Sequence, residues 1–135
     1  MNNMKERTAL ITGGAGLLGP QHAMALASEG IKIVLIDKKE IKLKKAKKII
    51  LNECSYASVH TFKCDITIEK NLIKLKKKLK QKKIFIDILI NNAAMNPKMN
   101  KYSKTSSGKV ENYSTKLLIK EINVGIIGAF FCSKI

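Results

Sequence analysis

The chain has 135 residues, of which 45% are hydrophobic and only two are proline, so its composition supports one compact domain and excludes collagen-like folds and disulfide-rich scaffolds. Its longest apolar runs, residues 84–90 and 126–131, fall well short of the roughly 20 residues that cross a bilayer, which predicts no transmembrane helix. The net charge of +16 admits anionic partners such as nucleic acid, acidic lipid or a phosphorylated ligand.

The polar N-terminal segment lacks the apolar core of a secretory signal peptide, so a cytoplasmic, reducing setting is expected. Cys54, Cys64 and Cys132 are an odd number of cysteines in no framework spacing, which favours free thiols over disulfide bridges. A metal site built from Cys54, His60 and Cys64 is disfavoured, because the two cysteines bracket a strand and no carboxylate stands at ligand spacing. No metal ligand is therefore assigned.

Apolar periodicity predicts alternating strands and helices along the chain. The predicted elements are a strand at 8–12, a helix at 17–29, a strand at 31–36, a helix at 40–51, a strand at 58–64, a helix at 68–78, a strand at 84–90, a polar loop at 91–111 and a last helix at about 114–133. Strands that are each followed by a helix imply a parallel sheet covered on both faces. The predicted fold is a three-layer, Rossmann-like α/β domain, doubly wound around about four parallel strands.

The positive charge is almost entirely lysine and concentrates in two runs, residues 38–48 and 70–83. Apolar residues recur in both runs near helical spacing, which predicts two surface helices with lysine-rich outer faces. Proteins that read nucleic acids favour arginine and place aromatic rings where bases stack, but Arg7 is the only arginine and the second run has no aromatic residue before Phe85. The sequence therefore disfavours nucleic acid as a partner.

A glycine-rich segment follows the first predicted strand and opens the first helix. It reads Thr12-Gly13-Gly14-Ala15-Gly16-Leu17-Leu18-Gly19 and contains the G-x-G-x-x-G spacing. In such loops one glycine makes the turn, one lets the backbone approach a pyrophosphate and one lets the helix press against the sheet, while the helix N-terminus offers N–H groups to the anion. The segment predicts a dinucleotide-binding loop. The alternative is a glycine-rich turn that only tightens the strand-to-helix corner.

Asp37 stands 18 residues after Gly19, at the end of the second predicted strand. A carboxylate in this position accepts hydrogen bonds from the ribose hydroxyls of NAD and repels the 2′-phosphate of NADP. The carboxylate therefore favours NAD as cofactor. Lys38 and Lys39 partly offset its charge, so NADP is the second choice. The alternative for Asp37 is an ordinary exposed carboxylate at a strand end.

Two further segments extend the pattern: Asp65-Ile66 after the third strand and Asn91-Asn92-Ala93-Ala94 after the fourth. With the glycine loop they make the sequence resemble the short-chain dehydrogenase/reductase family over residues 8–134. The T-G-x-x-G-x-x-G spacing is typical of the extended, sugar-nucleotide-modifying branch, whereas N-N-A-A is similar to the N-N-A-G of the classical branch. Residues 91–98 and 122–125 also resemble relatives that act in surface-glycan or flagellin-sugar modification.

The resemblance implies a role for each matching residue. Asp65 would bind the adenine amino group, Ile66 would lie beside the ring and Lys38 would lie beside the ribose-binding carboxylate. Asn91 would support the centre of the sheet, and Asn92, Ala93 and Ala94 would pass close to the cofactor. An alternative for Asp65 is an N-cap of the third helix.

Asn123 is the one catalytic residue that the resemblance implies within these residues. The segment at 121–130 is similar to the family's N-x-x-G-x-F, whose asparagine belongs to an Asn-Ser-Tyr-Lys tetrad and holds a water in the proton relay. Asn123 also sits within an apolar stripe at helical spacing, formed by Ile119, Ile122, Ile126, Ile127 and Phe130, which predicts that this face is buried. The alternative is a core asparagine bonded to neighbouring backbone.

The family's chemistry also needs a tyrosine as general acid/base, a lysine four residues later and a serine that orients the substrate carbonyl. None of Tyr56, Tyr102 and Tyr113 has a lysine four residues on. The resemblance implies that these groups arise on a fifth strand and the following helix, so residues 1–135 are expected to be one partial NAD(P)-binding domain that is inactive alone. Full-length relatives would be homo-oligomeric oxidoreductases acting on small carbonyl or alcohol substrates. The competing interpretations are a non-catalytic dinucleotide-binding module and a basic nucleic-acid-associated protein.

A partial domain of this kind has a physical consequence. The last helix would keep an uncovered apolar surface at Leu117, Leu118, Ile126, Phe130 and Phe131, and the sheet would keep an open edge at its fourth strand. We therefore expect the separate 135-residue polypeptide to be marginally stable.

Overall fold

The computed structural model describes residues 6–95 and 109–135. In chain order the elements are β1 (Thr8–Thr12), α1 (Gly19–Ser28), β2 (Lys32–Asp37), α2 (Glu40–Glu53), β3 (Val59–Lys63), α3 (Glu69–Gln81), β4 (Ile88–Ile90), a 3-10 turn (Val110–Asn112), α4 (Thr115–Ile122), a π-helical turn (Asn123–Gly128) and α5 (Ala129–Lys134). Within these two ranges, no helix is both long enough and apolar enough to cross a bilayer.

The four strands form one parallel sheet in the order β3-β2-β1-β4. The chain therefore builds outward from β1 to β3 and then returns to place β4 on the other side of β1. Every residue of β1 is buried, and so are four of the six residues of β2, as expected for central strands whose sequences are continuous apolar runs. The predicted doubly wound, Rossmann-like α/β fold is confirmed.

Two separate apolar cores cover the two faces of the sheet. On one face α1 and α2 pack through small and branched residues, Ala23, Ala27, Leu43, Ala46 and Ile50. On the other face the leucines of α3, Leu72, Leu75 and Leu79, meet the last helical segment through Val124, Phe131 and Ile135. This arrangement of helix, sheet and helix is the predicted three-layer architecture.

The fourth strand is shorter than its apolar run predicts. The run at 84–90 predicts seven strand residues, but β4 covers only Ile88–Ile90. Ile84 packs into the α3 core and its N–H donates to the carbonyl of Leu79, so this residue belongs to the turn that follows α3 and does not begin the strand. Pairing with β1 starts only at Asp87, whose N–H donates to the carbonyl of Thr8 and whose carboxylate accepts from the N–H of Thr8.

The polar loop predicted at 91–111 lies mostly outside the described residues. Where the chain is described again, Val110–Asn112 forms a 3-10 turn, and Ser114 then caps α4 by accepting a hydrogen bond from the N–H of Leu117. This cap is the start that the sequence predicts for the last helix.

The last helical segment buries a different face from the predicted one. The predicted stripe is exposed: Ile119, Ile126 and Phe130 are 54%, 62% and 58% exposed. The face that packs on the sheet carries Val124 and Phe131 instead. The prediction of a buried stripe was wrong because this helix is apolar on two faces, and periodicity alone cannot tell which one meets the sheet. Of the uncovered apolar surface expected on this helix, Leu118, Ile126 and Phe130 are exposed, whereas Leu117 is half-buried and Phe131 packs on the sheet.

Gly128 sets the distance between this helical segment and the sheet side of the domain. It is buried, and a methyl group added there would lie 2.7 Å from Cδ1 and 2.8 Å from Cγ1 of Ile66. At Gly125, three residues earlier in the same π-helical turn, an added methyl group would meet nothing within 4 Å. The two glycines therefore form a matched pair.

We expect Gly128→Ala to lower the free energy of unfolding by about 1–3 kcal/mol, because the added methyl overpacks Ile66. Gly125→Ala should raise it by about 0.5–1 kcal/mol, because alanine restricts the unfolded chain and favours helix. Urea unfolding followed by circular dichroism measures both changes. Equal effects at the two positions would contradict the close packing of Gly128.

Candidate functional site

The glycine loop between β1 and α1 is held in a tight turn. Gly13 has φ of +60°, a conformation that disfavours side chains, and its carbonyl accepts from the N–H of Gly16 at 2.9 Å. The N–H of Gly14 donates to the carbonyl of Ile36 at 3.0 Å, which fastens the loop to β2. The turn is thus fixed from two sides.

Three of the four glycines in this loop are required by close packing. An added methyl would lie 2.9 Å from Cα of Ala93 at Gly13, 2.8 Å from Cβ of Leu35 at Gly14, and 2.6 Å from the backbone of Gly14 at Gly19. Gly16 is exposed on the outer side of the turn, together with Leu17 and Leu18. The structure thus gives Gly13 the positive-φ turn, Gly14 and Gly19 the packing, and Gly16 the exposed backbone.

Helix α1 presents its N-terminus to the space in front of the loop. It begins at Gly19 with Pro20 in the first turn, where the missing N–H of proline costs no intrahelical bond. No side chain caps this N-terminus in the described part of the chain, and the first turn carries no acidic residue. An anion is therefore the natural partner for its N–H groups and its positive dipole end.

The loop after β4 is tied to the end of β1 by side-chain hydrogen bonds. The hydroxyl of Thr12, which is fully buried, accepts from the N–H of Ala93 at 2.9 Å and donates to the carbonyl of Ile90 at 3.4 Å. Nδ2 of Asn92 donates to the carbonyls of Thr12 and Gly13 at 3.0 and 3.2 Å. The sheet-supporting role expected of Asn91 therefore falls to Asn92, while Asn91 is exposed.

Asp37 and Asp65 follow β2 and β3 at the same end of the sheet. Oδ1 of Asp37 accepts from the N–H of Lys39 at 3.0 Å, and the half-buried carboxylate faces the cleft described below. Oδ1 of Asp65 accepts from both the N–H and the hydroxyl of Thr67, at 3.0 and 2.7 Å. The N-cap alternative for Asp65 is wrong, because the N-cap of α3 is Ile68 and no side chain caps that helix.

A single cleft of about 670 Å³ joins these elements. It lies between the ends of β1 and β4, where the chain reverses direction across the sheet, and this is where open α/β sheets bind their ligands. Twelve of the residues predicted from the sequence line it: Gly13, Gly16, Leu17, Leu18, Asp37, Lys38, Asp65, Ile66, Asn92, Ala93, Ala94 and Asn123. The other five, Thr12, Gly14, Ala15, Gly19 and Asn91, do not line it.

Asn123 reaches this cleft from the π-helical turn. Its exposed side chain lines the cleft next to Lys120 and Val124, so the alternative of a core asparagine is wrong. A π-turn inside an α-helix often marks a functional position, because it re-aims the side chain at the bulge.

Six lining residues were not predicted from the sequence: Ile36, Cys64, Thr67, Met95, Lys120 and Val124. Five of them stand next to a predicted residue in sequence, so widening each motif by one residue would have included Ile36, Cys64, Thr67, Met95 and Val124. Thr67 is bonded to Asp65. Lys120 has no such signal, since it lies one helical turn before Asn123.

The cysteine at the cleft, Cys64, is buried. Burial is the main cause that raises the pKa of the Cys64 thiol to about 11, and the thiol therefore stays protonated at neutral pH. All three cysteines are free, and Cys54 and Cys64 belong to the cores on opposite faces of the sheet. Residues 6–95 and 109–135 contain no group of three or more metal-ligating side chains.

Comparison with known proteins gives one consistent likeness. A family model for short chain dehydrogenases matches residues 7–135. The uncharacterized oxidoreductase YxbG of Bacillus subtilis is 28% identical over 134 residues, which are 99% of this chain and 45% of YxbG. A solved short chain dehydrogenase from Bacillus anthracis is 31% identical, with a TM-score of 0.81 over 97% of this chain and 50% of its own.

A solved NAD⁺-bound xylitol dehydrogenase is 26% identical, with a TM-score of 0.80 over 95% of this chain and 45% of its own. The chain thus spans about half the length of the relatives it matches.

We expect Asn92→Ala to lower the free energy of unfolding by about 1–3 kcal/mol, because it removes both hydrogen bonds that join the β4 loop to Thr12 and Gly13. Asn91→Ala is the matched control and should change it by less than about 0.5 kcal/mol, because Asn91 is exposed. Thermal melts of both variants measure the difference. A larger loss for Asn91→Ala would reverse the assignment of the supporting role.

Proposed function

Because the chain belongs to the short-chain dehydrogenase family, we propose that it binds a nicotinamide dinucleotide in the cleft at the ends of β1, β2 and β4. The protein that contains it would be an NAD(P)-dependent oxidoreductase acting on a small carbonyl or alcohol substrate. The bound cofactor supplies the hydride chemistry, and the protein supplies orientation and a proton. The observation that carries this proposal is the convergence of the glycine loop, Asp37 and the Ala93–Ala94 backbone on one cleft.

The lining residues fit such a cofactor in size and in chemistry. A volume of about 670 Å³ lies within the range of small-molecule sites. The exposed backbone of Gly16, Leu17 and Leu18 and the uncapped start of α1 suit a pyrophosphate. Small residues at 93 and 94 leave room for a ligand that crosses the strand ends.

Of the remaining residues, some would bind the adenosine half of the cofactor and others would lie at its nicotinamide half. Asp37 would accept from the adenosine ribose, and Asp65 and Ile66 would hold the adenine. Ala94 and Asn123 would face the nicotinamide half. We assign Thr12, Gly14, Ala15, Gly19 and Asn91 a supporting role, because they shape the loop and the β4 turn without lining the cleft.

NAD is the proposed cofactor rather than NADP. The carboxylate of Asp37 stands at the end of β2 and holds only one described hydrogen bond, from the N–H of Lys39. Lys38 lines the same cleft and reduces the preference for NAD over NADP, but it does not remove the negative charge of Asp37.

The proton-transfer groups of the reaction would come from outside these 135 residues. No tyrosine of this chain has a lysine four residues later, so the chain itself carries only Asn123 of the tetrad. Asn123 would hold a water that relays a proton, a role for which its exposed position at the cleft is suited.

The exposed stripe around Ile126 and Phe130 would be covered in the whole protein and its oligomer. Three free cysteines suit a reducing, cytoplasmic setting.

A non-catalytic dinucleotide-binding module is the second candidate, favoured by the same lack of a Tyr-x-x-x-Lys pair. The two functions share the cleft and differ only in turnover.

We expect the chain to bind NADH more tightly than NADPH, and Asp37→Asn to weaken NADH binding about tenfold or more while it narrows the difference between the two cofactors. Isothermal titration calorimetry measures both affinities. Glu40→Gln is the control, because it removes the same charge only three residues after Asp37. The Glu40 side chain pairs with Lys44 at 3.8 Å and does not line the dinucleotide cleft. No heat with either cofactor on folded wild-type protein would refute the proposed function.

The 135-residue chain should bind NADH without oxidising or reducing any alcohol or ketone. In the whole protein, Asn123→Leu should lower kcat about a hundredfold with an unchanged dissociation constant for NADH, because the relay is lost and the binding surface is kept. Asn52→Ala, on the exposed side of α2, is the control. An unchanged kcat for Asn123→Leu would remove Asn123 from the relay.

A further inference from the structure

The two lysine runs, which are separate in the sequence, meet at one edge of the sheet. Residues 37–83 contain 16 lysines and five acidic residues. Helices α2 and α3 lie on opposite faces of the sheet, but both flank β3, which pairs only with β2 and so leaves its other edge open. The lysine-rich outer faces predicted for the two helices therefore lie on either side of the open edge of β3.

A second cleft, of about 680 Å³, opens along this edge. Lys44 of α2 stands on one wall, and Lys74 and Lys78 of α3 stand on the other. Lys63 on β3 and the half-buried ring of Phe62 lie between them. We call this the β3-edge cleft.

The acidic residues of the β3-edge cleft do not balance its lysines. Two carboxylates, Glu40 and Asp65, stand among five lysines there, and Glu40 pairs with Lys44 at 3.8 Å. Lys74 and Lys78 stand four residues apart, where two like charges repel each other. An anionic ligand would relieve this repulsion.

The positive charge also has a regular spacing. Lys70, Lys74, Lys78 and Lys82 recur every four residues along and just beyond α3, about 6 Å apart at the rise of an α-helix. At the far end of β3, partial burial and then the charges of Lys47 and Lys82 lower the pKa of His60. Lys47 and Lys82 therefore extend the positive charge to the end of β3 that carries His60.

Protection of an open edge strand explains a lysine on β3 itself, such as Lys63, but not a concave site with lysines on both helical walls. A flat bilayer surface does not enter a concave cleft, whereas a single strand of phosphates does. Phe62 on the floor is half-buried and packs against the α3 core, so the lysines and not an aromatic ring carry the site.

We propose that the β3-edge cleft binds single-stranded nucleic acid, with the phosphates along Lys74 and Lys78 of α3 and Lys44 of α2. This site is separate from the dinucleotide function: it shares only Lys38, Cys64 and Asp65 with the first cleft and uses none of the glycine loop.

The test compares two double variants of one helix by fluorescence anisotropy with labelled oligouridylate and oligothymidylate. Lys74→Glu/Lys78→Glu changes the cleft wall. Lys76→Glu/Lys80→Glu makes the same change of net charge on the side of α3 that faces β4. We expect wild-type binding to weaken steeply between about 50 and 200 mM salt. The cleft variant should lose about tenfold or more, with a log–log salt slope shallower by about 1.4, since each phosphate contact contributes about 0.7.

The control variant should lose less than about threefold, and both variants should keep the circular dichroism of the wild type and its affinity for NADH. Equal losses in the two variants, or no binding at low salt, would overturn the proposal. Binding to phosphatidylserine vesicles without binding to either oligonucleotide would also overturn it, in favour of a membrane surface.

Proton NMR gives an independent location for the ligand, because the chain has only two histidines. Bound phosphates should raise the pKa of His60, which the charges of Lys47 and Lys82 lower in the free protein. An unchanged pKa of His60 at saturating oligonucleotide would place the ligand elsewhere.

Discussion

The close approach of two backbone segments, at Gly13 and Ala93, is the constraint on which the dinucleotide cleft depends. A methyl group at Gly13 would lie 2.9 Å from Cα of Ala93, so no larger residue fits without moving the β4 loop. The buried hydroxyl of Thr12 fixes that loop by accepting from the N–H of Ala93. The chain crosses the sheet after β3, so that β4 pairs with β1. The contact between Gly13 and Ala93 therefore brings the glycine loop to the cleft that Ala94 and Asn123 also line.

Most of the fold could be predicted because its strands and helices carry simple patterns. The continuous apolar run of β2 and the helical spacing in α2 and α3 predicted elements whose ends differ from the observed ones by at most three residues. The end of α3 and the start of β4 could not be separated, because Ile84 is apolar for helix packing and Ile88 is apolar for the sheet. An apolar run does not record which neighbour each residue meets.

The last helical segment shows a second limit of the sequence. Its more apolar face, with Ile126 and Phe130, is exposed, and the face on the sheet includes Gly128. A glycine contributes little to an apolar pattern, yet its missing side chain is what allows the helix to approach Ile66. Gly128 therefore determines which face of the helix packs on the sheet, although it adds nothing to the apolar pattern of the sequence.

The site was predictable to the extent that its residues belong to local motifs. The glycine loop, Asp37 and Asp65 follow strand ends, so topology alone brings them to one edge. The exchange of roles between Asn91 and Asn92 was not predictable, because adjacent residues after a strand point to opposite sides and the end of β4 was uncertain by several residues. Lys120 joins the cleft only through the three-dimensional placement of its helix.

The strand order gives the two rims of the sheet different characters. The rim at β3 is cationic, whereas the rim at β4 combines Phe85, which is 72% exposed, with Lys76 and Lys80 of α3. Because both rims carry lysines, two copies of the chain repel each other at either one.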